Sequence, residues 1–233
     1  MDPARLVDPR GPVVPGEDVL PVLPELRGLL ACGGLRRGHV AVTQGEGLLP
    51  LALAAAASAA GAWCAAVGLP SLGVRAAADV GLYPGRLLLV PEPGGNWPQV
   101  VASLLDGCDI VLLRPPGRPA AQPAAPLRRR LEAAARRFGS VLLVAGEWEG
   151  AQVRLLIADQ EWAGISAGHG RLRARRARIV AQGRGAGAHA RSAWLWLPGP
   201  DGAVGAVGAV GMAGAALTRD IALARDIALA GTG

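Results

Sequence analysis

The feature that most constrains this chain is the rhythm of its apolar runs. Short strand-like stretches recur at His39–Thr43, which alternates and is β-branched, and at Ala62–Val67, Arg86–Val90, Asp109–Leu113 and Ser140–Ala145, and most of them are short, continuous apolar runs. Helix-compatible segments separate them, at Pro50–Ala60, Ser71–Val80, Trp97–Leu105 and Leu127–Phe138. A strand that is apolar throughout is buried on both faces, and a helix between successive strands makes the parallel crossover. The sequence therefore predicts an α/β fold: a mostly parallel sheet flanked by helices. After residue 150 the pattern changes. Val153–Ala158, Arg171–Ala181 and Ala193–Leu197 are strand-like, with glycine-rich turns and no helix between them, which predicts antiparallel additions to the sheet. Val19–Ala31 reads as a short helical lead-in with Pro24 near its first turn, and Gly33-Gly34 as a turn. Residues 1–18 hold four prolines and read as a flexible arm, and residues 19–200 as the core domain. Residues 201–233 repeat GAV and RDIALA and read as a low-complexity tail.

The 233 residues are enough for one domain with a real core. All 24 basic residues are arginine, so every mechanism that needs a lysine is excluded. The net charge of +6 suits nucleic acid, an acidic protein surface or an anionic membrane, and a GC-biased gene accounts for the same arginine surplus. Cys32, Cys64 and Cys108 show no CxxC or Cys/His spacing, so no structural zinc is expected and a reducing cytosol is the simplest compartment. The start, MDPARLVDPR, lacks the basic-then-apolar run of an export signal. Leu48–Leu69 carries no charge and is long enough for a bilayer, but it is alanine-rich and broken by Pro50 and Gly61. It reads as a buried helix, a glycine stop and a buried strand, with no membrane partner.

The first strand–loop–helix unit is where an α/β protein would hold a nucleotide phosphate. A phosphate loop, G-x-x-x-x-G-K-[ST], needs glycine amides around the phosphates, a lysine on the outer ones and a hydroxyl on Mg²⁺. The register here gives Gly45, Glu46, Gly47, Leu48, Leu49, Pro50, Leu51 and Ala52. Proline stands for the second glycine, leucine for the lysine and alanine for the hydroxyl, and Glu46 adds negative charge. A dinucleotide loop fits Gly45 and Gly47 but meets Pro50 at its third glycine, and the ribose-binding acid is missing after Val67. Gly164-Ile165-Ser166-Ala167-Gly168 matches a nucleophile elbow, yet a basic strand follows where a helix is required, and no acid separates Ser166 from His189. It reads as a glycine turn. Arg171, Arg173, Arg175, Arg176 and Arg178 form the densest basic run, fit either to bind phosphates or an acidic partner, or to guard a solvated sheet edge. No aromatic residue interleaves them. The helix 127–138 adds Arg128, Arg129, Arg130, Arg136 and Arg137. Trp194 and Trp196 share one face of the last strand, as core or as an interface anchor.

The order of elements carries a resemblance. Gly33-Gly34-Leu35-Arg36-Arg37-Gly38, leading into His39-Val40-Ala41-Val42, is similar to the start of the RecA ATPase core. Cys108–Leu113 resembles the strand before its Mg²⁺-binding aspartate, and the last strands resemble those that close that core. Within that superfamily the chain most resembles the actinobacterial ImuA-type proteins, RecA-like accessory factors of mutagenic DNA repair. The stretches that carry this are 19–30, 61–73, 109–118, 168–180 and 194–202. The resemblance implies a RecA-like (P-loop NTPase-type) sheet and exposes three departures: the lost lysine and hydroxyl, Arg114 in place of the aspartate, and Leu69-Pro70 where a catalytic glutamate is expected. It implies a non-catalytic scaffold without cofactor, in a translesion-synthesis complex induced by DNA damage. The expected partners are a polymerase-like ImuB protein and, indirectly, an error-prone replicative-type polymerase subunit. DNA is a further candidate partner, and the expected location is the cytoplasm, at the nucleoid after damage.

Overall fold

A computed structural model describes residues 18–44, 47–117, 122–166 and 169–207, without the side chains of residues 165, 166 and 169–172. The arm 1–17, Gly45, Glu46 and the tail 208–233 lie outside the described residues. The chain opens with strand β1 (Val19–Pro21), one helical turn α1 (Pro24–Arg27) and β2 (Gly34–Arg36). The helical lead-in is thus confined to Pro24–Arg27. Val19, Leu20 and Pro21 instead pair antiparallel with Arg36, Leu35 and Gly34. Pro21 and Pro24 interrupt a longer helix, while Leu20 and Leu35 gain burial as a strand pair.

The alternating core comes next: β3 (Val40–Gln44), α2 (Leu49–Ala59), β4 (Cys64–Val67), α3 (Val74–Asp79), β5 (Leu87–Val90), α4 (Trp97–Gly107), β6 (Ile110–Leu113), α5 (Ala125–Phe138) and β7 (Val141–Ala145). Then come β8 (Val153–Ser166), β9 (His169–Gln182), β10 (Arg191–Trp196) and β11 (Gly205–Ala206). One nine-stranded sheet runs β11-β10-β9-β8-β3-β7-β6-β4-β5. Every pairing from β8 across to β5 is parallel, and β8–β9, β9–β10 and β10–β11 are antiparallel. The antiparallel expectation therefore needs one correction: β8 joins β3 in parallel, with Ala41 opposite Val153. The chain returns from β7 to the start of β8 without a helix. Trp148, fully buried, fills the space beneath this short crossover, and its Nε1 donates to Glu132 at 2.9 Å. The sheet also runs past Trp196 into the segment read as tail, because β11 pairs with β10.

Each sheet face has its own core. On one side α1, α2 and α3 pack with Leu20, Leu35, Ala41, Leu155, Ile179 and Leu195. On the other α4 and α5 pack with Val40, Val42, Val111, Leu142 and Trp148. The two faces of β3 thus serve different cores, which is why Val40, Ala41 and Val42 are all apolar. At the starting edge of the sheet, buried Asp109 joins three connections. Its Oδ1 accepts from Arg37 Nη1 at 2.8 Å and its Oδ2 from the Trp63 amide at 2.9 Å. No helix among the described residues is long and apolar enough to cross a membrane. The uncharged run 48–69 is instead α2, a turn at Gly61 and β4.

Candidate functional site

The site with the clearest precedent in α/β proteins lies where β3 ends and α2 begins. Gly47 is described and has a positive φ of 125°. Leu48 occupies the N-cap without a side-chain capping bond, and Pro50 sits in the first turn. The helix therefore offers fewer amides to an anion than a phosphate loop would, since proline has no N–H. Leu51 is 6% exposed and Ala52 fully buried, both within the α2-side core. The position expected for a phosphate lysine points into packed hydrocarbon.

Two strands away, β6 ends at Leu113, and Arg114 succeeds it at the same edge of the sheet. The Arg114 amide donates to Val67 at 2.9 Å. Gly68, with φ of 74°, packs so closely on it that a Cβ would overlap the Arg114 carbonyl oxygen. Only glycine meets both demands. A cationic residue thus stands directly after β6, at the same edge of the sheet as the β3–α2 loop. No group of three or more His, Cys, Asp or Glu is placed to hold a metal ion among the described residues.

Other side chains converge on this edge. Gln44 Nε2 donates to Glu147 at 2.6 Å, and Arg154 lies 3.6 Å from the same carboxylate while donating to the Trp148 carbonyl. Arg175 reaches over from β9: a Cβ on Gly47 would lie 3.8 Å from its Nη2. Arg175 is only 8% exposed, donates through Nε to the Leu197 carbonyl at 2.7 Å, and lies 5.3 Å from the Trp162 ring. Burial pulls its pKa below the ordinary arginine value. No motif marks Trp162, Gln44 or Glu147 as part of this edge, because each depends on cross-strand register.

The basic run divides by face. Arg175 points one way and Arg176 and Arg178 the other, while Arg173 is exposed and lies where the register with β8 is irregular. Arg178 pairs with Asp159 at 2.6 Å and Arg176 with Glu161 at 3.7 Å. Arg176 also lies 4.5 Å from the Trp194 ring, so aromatic residues do interleave these arginines, supplied by neighbouring strands. Arg171 lies in β9, and its side chain is outside the described set. Trp196 is buried, and its Nε1 has no partner among the described residues. Trp194 is half-buried under Arg176, so the two tryptophans of that face are core and stacking platform respectively. On α5, Arg128 is held by Glu149 at 2.5 Å and by the Pro123 carbonyl, whereas Arg129, Arg130, Arg136 and Arg137 are exposed. Gly164–Ser166 ends β8, and the next described element is the antiparallel β9 and not the helix that a nucleophile elbow requires.

Comparison with known proteins adds the relationship. The "Uncharacterized protein Rv3395c" of Mycobacterium tuberculosis is 40% identical over 119 residues, which span 51% of this chain and 57% of that relative's length. The chain thus matches little more than half of that relative. The model of the MT3502 N-terminal domain family matches residues 28–150, from just after α1 through β7 to the start of the crossover. That is more than half of the chain and includes the whole alternating β/α core with the altered loop, so the protein belongs to the MT3502 N-terminal domain family.

Proposed function

We propose that the protein is an ImuA-type, RecA-like accessory subunit of a translesion-synthesis assembly, acting as a scaffold without turnover. One observation carries the reading: β3 is followed by α2 in the strand–helix order of a nucleotide site, while Leu51 and Ala52 are buried in the core behind Pro50. Arg114 at the same edge would oppose a divalent cation. Loss of nucleotide chemistry from an intact, fully packed core leaves binding to other macromolecules as the role. The mycobacterial relative agrees with an actinobacterial origin for such a factor. The partner on this reading is a polymerase-like ImuB protein, with an error-prone polymerase subunit reached through it.

The test is co-purification of the full chain with the ImuB-type protein, alongside melting curves with and without millimolar MgATP. A retained complex and an unmoved melting temperature are expected. A nucleotide-dependent rise of several degrees would overturn the scaffold reading, because binding to the native state must raise stability.

Direct DNA binding is the second reading, favoured by the exposed arginines of α5, which have no carboxylate partner among the described residues. It requires a DNA shift by the protein alone that weakens steeply with salt. Arg175, Arg176 and Arg178 contribute less than their number suggests, since one is internal and two face carboxylates.

A further inference from the structure

At the opposite edge of the sheet from the altered loop, where β3, β7 and β8 begin, the structure contains a cavity of about 420 Å³. Its floor is apolar: Leu30, Leu35, Ala41, Val141 and Val153 line it and are themselves buried. Its polar groups are Arg36, Arg184, His39 and Gln152, with the Cys32 thiol beside them, and no carboxylate lines it. Arg36 and Arg184 are exposed and make no ion pair or hydrogen bond through their side chains among the described residues. Gln152 is oriented by its Oε1, which accepts the Val40 amide at 2.7 Å, so its NH₂ is left to donate. The Cys32 thiol is turned to the Gly34 carbonyl at 3.1 Å.

We infer that this cavity is a binding site for a small organic oxyanion, a phosphate or carboxylate head carried on an apolar body. Its volume lies in the range of small-molecule sites, roughly 300–1,000 Å³, and an apolar floor with few polar groups is the usual build of such sites. Two guanidinium groups at the mouth match the geometry of phosphate and carboxylate oxygens. The charge around His39 points the same way. Burial lowers its pKa first, and Arg36, Arg136 and Arg184 lower it further, so every charged group acting on the imidazole is a cation. An anion seated there would relieve that repulsion. The site is independent of the scaffold reading, for it shares no residue with the altered loop or with Arg114.

The test uses the full chain with phenyl phosphate, benzoate, phenol and inorganic phosphate, read by calorimetry and by the His39 imidazole resonances. Phenyl phosphate or benzoate should bind more tightly than phenol or inorganic phosphate and raise the His39 titration midpoint. The double variant R36Q/R184Q should weaken that binding by at least about tenfold while its own melting temperature stays put, because both side chains are exposed. The variant R129Q/R137Q on α5 should bind as the parent does. Phosphate preference or benzoate preference decides which head group the mouth selects, and either supports the site. The inference fails if phenol binds as tightly as the anions, if no anion binds, if R36Q/R184Q leaves affinity unchanged, or if only R129Q/R137Q reduces it.

Discussion

Placing a lysine where a phosphate loop would have one, by Leu51→Lys, should destabilise the protein and should not create an ATPase. Leu51 is 6% exposed and packs in the apolar cluster beside Leu49, Leu53 and Ala54. Burying a leucine side chain contributes about 1.5–3 kcal/mol, most of which is lost when an ammonium replaces its methyls. An unpaired buried charge costs several kcal/mol more, reduced here because the stem can lean toward the nearby loop. The sum is about 3–5 kcal/mol, a fifth or more of a typical domain's stability of about 5–15 kcal/mol. Leu51→Met, similar in volume and uncharged, should cost less than about 1.5 kcal/mol and so separates size from charge. Urea unfolding at pH 7 reads both variants. The lysine penalty should shrink toward pH 10, where a neutral amine is easier to bury. Phosphate release from MgATP should stay at the buffer rate, since Pro50, Ala52 and Arg114 remain. A Leu51→Lys protein within about 1 kcal/mol of the parent, or one that hydrolyses ATP, would show that residue 51 faces the loop and that the account of the altered site is wrong.

Gly68→Ala should cost about 2–4 kcal/mol in urea unfolding, from a left-handed φ plus displacement of the Arg114 carbonyl, and a loss below about 1 kcal/mol would mean that this edge yields freely. His39 has a folded pKa below its usual 6.5, so the unfolded chain binds the extra proton. The parent should therefore lose stability relative to His39→Gln as pH falls from 6.5 through the folded value. Parallel pH profiles would remove the repulsion described around that imidazole. Of the three thiols, Cys32 is exposed, Cys108 is buried, and burial pushes Cys64 up to about 12. A disulfide reagent should titrate one thiol quickly in the native protein and three in denaturant, and rapid reaction of a second would contradict the packing.

Strands β3, β4, β6 and β7 were legible because both of their faces are buried, so each appears as a largely apolar run, with boundaries set by Gly61 and Gly139; β5 is equally apolar although Leu88 and Leu89 are exposed at the sheet edge. The length of β8 was not legible. Asp159 and Glu161 make its outer half look like loop, and only the opposing Arg178 and Arg176 turn them into strand residues. The direction of β8 was hidden for a related reason: its parallel return depends on Trp148 filling a space that no local pattern announces. That Pro50, Leu51 and Ala52 depart from a phosphate loop could be read from sequence alone, because that chemistry needs particular residues at fixed spacing; that Leu51 and Ala52 are buried could not. Nor could the oxyanion cavity, since Arg36, His39, Gln152 and Arg184 are scattered along the chain and meet only in the fold.

The boundary of the shared family region has its own consequence. The common part stops at residue 150, yet β3, the strand that leads into the altered loop, has β7 on one flank and β8 on the other. Everything up to that boundary would by itself present β3 as a raw margin and leave α2 half uncovered, because Leu155, Ile179 and Leu195 roof the same core. A chain cut at residue 150 should accordingly be recovered aggregated or loosely collapsed, and a folded, monomeric fragment would contradict this. The strands beyond the common region are therefore part of what holds its middle strand in place.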